Sequence, residues 1–448
     1  MENKLSDLTN ALLDEAKKAG ANTADVIAVT SASISVDVLK GHLEHIERSE
    51  TTEIGLRVIL NKKQACVSSS LVDRVSLKTI AERAVAMARE AIVDPFIGLA
   101  SPSEVAKEWN LDDLQLYDNN TKLKPEELEK LALRAERAAL KINGISKSQS
   151  TSAFYGEKNI HLRATNGFSG GYKKSHSGVF CSAIAGDGLG MERDGFGDAR
   201  THRSDLISPE EIGKTAGERA VKKLNSRKPK TGNFPVLFDE RISNSLIGHL
   251  LSAINGRAIV QGASWASELL GKPIFPKGTS LVEDPHRARS YGSRPFDGEG
   301  LPTLKRTIIK DGHLNEWTLD LATARQLGET STANASRGVS SPPTPSISNV
   351  ILSKGESSFN ALIKEMHTGL LVTSMIGSTI NQNTGDYSRG VSGFWVENGE
   401  ISYPINECTI AGNLKEMFQS MIAGNDSKPY RSIVVPSLLI EGLTIAGQ

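Results

Sequence analysis

In the opening stretch "MENKLSDLTNALLDEAKKAGA", Leu5, Leu8, Leu12 and Leu13 recur at the spacing of one helix face, with charged residues around them. No apolar core precedes a small-residue cleavage site, so the pattern predicts a retained amphipathic helix, not a leader. The next stretches, "ADVIAVTSASISVDVLKGHLEHIERSE" and "EIGLRVILNKKQACVSSS", are rich in β-branched residues and predict strands, with a hairpin turn at Lys40 and Gly41. In "SLKTIAERAVAMAREAIVD", Ile80, Val85, Met87, Ala88 and Ile92 return to helical spacing. Turn-forming residues in "PFIGLASPSEV" and "YDNNTKLKPEE" predict a linker around residues 95–125.

A second unit follows the same outline: a helix over 125–141, hydroxyl-rich strands over 146–185, then another helix. That helix opens at "SPEEIGKTAGERAVKKL", where Ser208 can cap, Pro209 suits the first helical position and Glu211 can complete a capping box. Beyond "SRKPKTG" the pattern becomes mostly β-prone. "TIIKDGHLNEWTLDL" and "SGFWVENGEISYPI" each join two short runs at Asp311-Gly312 or Asn398-Gly399, dipeptides that favour type I′ hairpin turns. The expected class is α+β. An N-terminal sheet-and-helix domain over 1–230, in units 1–100 and 124–228, precedes a β-rich C-terminal domain over 231–448.

Composition narrows the possibilities. Apolar residues make up 38% of the 448, with 40 glycines besides, which is globular usage. Lys plus Arg equals Asp plus Glu at 52 each, so no net field draws the chain to nucleic acid or an anionic membrane. No uncharged apolar run approaches the roughly 18 residues a bilayer span needs. The cysteines Cys66, Cys181 and Cys408 are odd in number and far apart, against a disulfide framework and in keeping with a reducing cytoplasm.

Several short motifs dissolve on inspection. "EEIGKT" resembles the end of a phosphate-binding loop, but Ser208 stands where a glycine is needed. "GDGLGMERDGFGD" lacks the ligand spacing of a calcium loop and reads as a mobile loop. His42 and His45 in "HLEH" point opposite ways on a strand. Asp297 and Glu299 in "RPFDGEGLPT" share a face if extended, although Gly298 and Gly300 favour a turn; they are candidates for a carboxylate pair. In "NSLIGHLLSAING", Leu246, Ile247, Leu250, Leu251 and Ile254 form an apolar stripe with His249 on its flank. No second histidine or carboxylate lies within a turn of His249, so hydrogen bonding or substrate contact suits it better than metal ligation.

Longer segments carry more weight. "SPEEIGKTAGERAVKKLNSRKPKTGNFPVLFD", "IGHLLSAINGRAIVQGASWASELLGKPIFP", "RPFDGEG", "NTGDYSRGVSGFWVENGEISYPINECTIAGNLKEMF" and "PSLLIEGLTIAG" together resemble the TldD/PmbA family, on its PmbA (TldE) branch. The resemblance implies a cytoplasmic bacterial protein that assembles with a TldD-like partner into a metallopeptidase complex acting on unfolded peptides, a family also labelled modulator of DNA gyrase. In the partner branch, an HExxxH helix and a later cysteine-containing loop hold zinc. Laid against this sequence, the first histidine, the glutamate and the second histidine fall on Asn244, Ser245 and His249. The segment "GNDSKPYRSIVVPSLLIEG" has no cysteine, and Cys408 lies elsewhere.

An amide and a hydroxyl cannot replace a zinc-binding imidazole and a general base. The expectation is therefore a subunit with no metal and no catalytic residue of its own, zinc residing in the TldD-like partner. Its substrate-cavity candidates are His249, Asn244, Asp297 and Glu299. Residues five apart on a regular helix stand about 140° apart, so a helix relieved of the metal is expected to be a plain α-helix. A C-terminal strand edge is expected to take up unfolded peptide as an added strand. Two other readings stay open: a non-enzymatic adaptor homodimer, and an autonomous metal-independent hydrolase. Neither direct nucleic-acid binding nor membrane insertion is expected.

Overall fold

The computed structural model describes residues 2–119 and 124–447. Helix α1 (Glu2–Lys18) leads into strands β1 (Thr23–Leu39), β2 (His42–Leu60) and β3 (Lys63–Ser69) and helix α2 (Arg74–Glu90). The outline then repeats as α3 (Pro125–Leu140), β4 (Ile145–Ala164), β5 (Ser169–Ala185), β6 (Glu192–Arg200) and α4 (Pro209–Lys222). All six strands share one antiparallel sheet in the order β3-β2-β1-β4-β5-β6. Each unit thus lays its strands outward from the central β1–β4 pair.

Side-chain alternation along β1 sets the two faces of this sheet. Ala24, Val26 and Ala28 pack with Leu5, Leu12, Leu13 and the buried stripe Leu77, Ile80, Ala84 of α2. Ile34, Val36 and Val38 pack with Leu128, Ala132 and Ala139 of α3 and Ile212 and Ala216 of α4. Ile27 and Val29 point the other way, onto Ala100, Val105 and Leu114 and onto Phe296, Leu301 and Leu321 from the second half of the chain. The expected linker is therefore anchored to the sheet at Ala100, Val105, Ala106, Leu114 and Leu116, while 101–104 between them are exposed; residues 120–123 of "YDNNTKLKPEE" lie outside the described residues.

Local signals mostly act where expected. Lys40 and Gly41 both have positive φ, 54° and 77°, as the hairpin requires. Asp311-Gly312 and Asn398-Gly399 do likewise, at 48° and 82° and at 55° and 74°. The Ser208 hydroxyl accepts from the Glu211 amide at 3.2 Å. The Glu211 carboxylate takes the Thr215 hydroxyl at 3.4 Å, in place of the expected return bond to Ser208. Met87 and Ile92 are exposed at 48% and 91%, the latter beyond the end of α2.

The reading of residues 186–198 as a mobile loop needs correction: from Glu192 the chain is strand β6, paired with β5. Glycines weaken a strand unless a neighbour covers them. Here the Phe180 ring does so, lying where Cβ atoms at Gly195 and Gly197 would meet it at 2.8 and 2.9 Å.

The second half is built on β7 (Gly232–Phe238), α5 (Asn244–Ala253), α6 (Phe359–Met366), β8 (Gly369–Ile380), β9 (Asp386–Glu397), β10 (Glu400–Asn413) and β11 (Leu438–Ala446). Hydrogen bonding runs β10-β9-β8-β7-β11, and β10 pairs again with β11 through Thr409↔Ala446 and Ala411↔Thr444, so the sheet closes on itself. The closure is partial. β8 joins β7 only through Leu370, Leu371 and Val372, and residues 374–380 have no strand on that side among the described residues. Inside the curve lie Leu246, Ile247, Leu250 and Trp395; outside, Leu237, Leu371 and Leu439 pack under Leu362 and Met366 of α6. Short strands at 281–283, 306–310, 313–314, 350–352 and 433–434 form a second small sheet.

The two halves interlock at β2. A Cβ at Gly55 would stand 1.8 Å from the Val339 carbonyl oxygen, so only glycine lets that segment lie flat on the strand. Beside it, buried Asp25 accepts from Arg57 Nε at 2.6 Å and pairs also with Arg337. Among the described residues, no helix is long and apolar enough to cross a membrane.

Candidate functional site

The α5 helix follows β7 through a tight turn, in which Asp239 accepts from the Arg241 amide at 3.0 Å. Its stripe Leu246, Ile247, Leu250 and Leu251 is buried, which fixes the rotation of the helix and leaves Asn244, Ser245 and His249 partly exposed on its flank. The helix is a plain α-helix from Asn244 to Ala253. Ser245 donates to the Ile242 carbonyl at 2.7 Å, so its hydroxyl serves the helix start.

His249 meets the Tyr387 ring edge-on, with ring centroids 6.0 Å apart. Tyr387 and Arg389 are two apart on β9 and share a face. The Tyr387 hydroxyl donates to Met375 Sδ at 3.4 Å. Among the described residues, His249 Nε2 and Arg389 Nε are both shut from solvent without a hydrogen-bond partner. Burial, then the Arg389 charge, pushes the imidazole down to about 4, so it is neutral at physiological pH. A neutral imidazole beside a guanidinium is poorly suited to anchor a cation.

Asn244 opens onto a cleft of about 390 Å³ shared with Asp198 and Ala199 of β6, Tyr291, Tyr430 and Arg431. Arg431 donates to the Glu240 carbonyl at 2.8 Å and pairs with its carboxylate at 2.9 Å. The Arg200 guanidinium lies 3.4 Å from the Tyr430 ring centre and holds both Asp198 oxygens, at 2.8 and 2.9 Å. Asp198 is thereby committed to fixed donors. Among the described residues, no three His, Cys, Asp or Glu side chains are grouped to hold an ion. The donor set does not fit zinc: one imidazole faces Arg389, the cleft offers an amide beside Arg431, and burial pushes the Cys408 thiol up to about 12.

Asp297 and Glu299 do stand together, but at the junction of the two halves, apart from His249. Asp297 Oδ1 accepts from the Glu299 and Leu301 amides, both at 2.9 Å, and Oδ2 from the Ala335 amide at 3.0 Å. Glu299 Oε2 accepts from the Leu321 amide at 2.9 Å. Burial, then the Asp297 charge, raises Glu299 to about 8, and burial raises Asp297 as well. These carboxylates tie backbone segments together, and neither lines the groove of about 600 Å³ beyond Leu301.

Several partners of the site escape a reading by sequence. Tyr387 and Arg389 alternate on a legible strand, yet nothing local says that this face meets α5. Tyr430 and Arg431 reach Asn244 from almost two hundred residues away.

Comparison with known proteins adds to this geometry. The chain matches the families described as PmbA/TldA metallopeptidase domain 1, central domain and C-terminal domain over residues 24–88, 118–224 and 231–447. It is 34% identical to Metalloprotease PmbA of Escherichia coli, covering 95% of this chain and 92% of that protein. It is 31% identical to a Metalloprotease PmbA homolog of Haemophilus influenzae, over 100% of this chain and 97% of that one. A crystal structure from Bacteroides thetaiotaomicron, named in connection with modulation of DNA gyrase, superposes with a TM-score of 0.91 at 28% identity, covering 100% of this chain and 99% of that one. TldE of Thermococcus kodakarensis shares the fold, at TM-score 0.85 and 20% identity, over 98% and 100% of the two chains.

Proposed function

Given that the chain belongs to the PmbA/TldD metallopeptidase family, we propose that it is the metal-free subunit of a two-component, TldD/TldE-type peptidase of the cytoplasm. The observation that carries this reading is α5 itself: an unbroken helix presenting Asn244, Ser245 and one neutral imidazole, with Arg389 and Arg431 as its charged neighbours. A TldD-like partner supplies zinc and base; this chain supplies a wall of the chamber. The stretch 374–380 of β8, paired with β9 on one side and without a strand on the other among the described residues, includes Met375, which touches Tyr387 and through it His249. Unfolded peptide pairs there as an added strand, held by main-chain hydrogen bonds that make little demand on sequence.

Co-expression with a TldD-like subunit tests this directly, with zinc measured per chain and peptide cleavage assayed for each subunit alone and for the mixture. Zinc with the partner only, and cleavage by the mixture exceeding the partner alone, is the expected result. Stoichiometric zinc on α5 of the isolated chain, or cleavage by it alone, would overturn the reading.

A further inference from the structure

The longest open strand edge among the described residues belongs to the first sheet, not the one that packs on α5. β3 covers β2 only from Ile54 to Leu60, and β1 occupies its other side throughout. Residues 42–53 therefore have no strand on their outer side among the described residues, and residues 42–51 are all exposed. Edges of this kind template pairing with another chain. Within it the register skips between Asp37↔His45 and Val38↔Leu43, which makes Glu44 a bulge and, against the expectation of opposite faces, puts His42 and His45 on one side of the sheet, opposite Leu39 and Asp37. The regular free edge thus runs from His45 to Glu53, and its middle residue is Ser49.

We propose that this edge joins a second copy of the chain, antiparallel, about a twofold axis at Ser49. A twofold axis through a sheet requires facing residues to lie on the same side, so the axis must pass at a residue. At Arg48, Glu47 or Glu50 it would set a like charge against itself. At Ile46 the paired strands would run through the bulge, and at Thr51 the second strand would run into β3. At Ser49, Arg48 faces Glu50 of the second copy on one side of the sheet, and His45 faces its Glu53 on the other, each pair occurring twice. Arg48 and Glu50 already bond within the chain, Nε to Oε1 at 3.1 Å, so the paired form alternates four charges around the axis. Apolar surface agrees with this register. Leu43 and Ile46 are each 43% exposed, and Leu71 and Val75, just after β3, are 65% and 75% exposed, where the hairpin tip of the second copy would end. The proposal is independent of the reading of α5.

Sedimentation of the purified chain, with cysteine cross-linking by oxidised glutathione, tests it. The wild type is expected to dimerise, E50R to weaken association at least tenfold while keeping its circular dichroism spectrum, and the double exchange R48E/E50R to restore it. Facing Cα atoms at the axis are about 5 Å apart, within disulfide range, so S49C should cross-link and T51C should not. A chain monomeric at every concentration, a dimer indifferent to E50R, T51C cross-linking as readily as S49C, or pairing only with a different family member would each overturn it.

Discussion

His249 and the pair Asp297/Glu299 are the two places where the sequence offers chemistry, and the fold treats them in opposite ways. Around Asp297 both oxygens are spoken for by three backbone amides. Around His249 a ring nitrogen is shut from water yet has no partner among the described residues. Buried polar groups are normally satisfied, so a complete set of short bonds marks a side chain that holds backbone together, while an unanswered one beside an open strand edge is the feature on which the proposed peptide contact rests. The difference lies in hydrogen-bond accounting, to which residue type is a poor guide.

The sharpest way to break the contrast is Asp297→Ala. It strips three buried donors of their acceptor and should lower unfolding free energy by about 4 kcal/mol in denaturant titration, with Asp297→Asn losing less. A loss under about 1 kcal/mol would deny Asp297 its bracing role.

A second test uses pH. Glu299 is raised from the usual carboxylate range to about 8, so the native state holds a proton that the unfolded chain has released. Its contribution falls as pH rises from about 4.5 to 8, with a slope of at most about 1.4 kcal/mol per pH unit, and Glu299→Gln should flatten that window. His249 has the opposite sign. Held near 4, it stays neutral while the unfolded chain takes up a proton below about 6.5, so stability falls as pH drops from 6.5 to 4. That slope is shallower because the ring is partly exposed, and His249→Asn should remove it. Parallel slopes in the two variants would erase the distinction.

The smallest stability effect is expected from His249→Ala, about 1 kcal/mol or less. Peptide turnover by the mixed complex should nevertheless change while its zinc content does not. Unchanged turnover would leave the histidine without a role.

Legibility followed the range of the forces involved. The Lys40-Gly41 and Asn398-Gly399 turns, the Ser208 cap and the α5 stripe are set by neighbours within a few residues, and all were readable. Strand β6 was not, because Gly195 and Gly197 count against a strand until Phe180 covers them. Nor was the role of Glu136, fully buried on α3, which accepts from the Lys40 and Gly41 amides at 2.9 and 2.8 Å and fixes the tip of a hairpin almost a hundred residues upstream. The candidate cleft was half legible: Asn244 could be placed by resemblance, whereas Tyr291 and Tyr430 become its neighbours only through the tertiary fold.

Gly55 beneath Val339 has a wider consequence. The later part of the chain is laid across the earlier sheet like a bolt across a door, with Asp25, Arg57 and Arg337 as the latch. Swinging the halves apart would break the Asp25–Arg337 pair and wet the apolar seam around it, so the two halves are expected to hold as one frame.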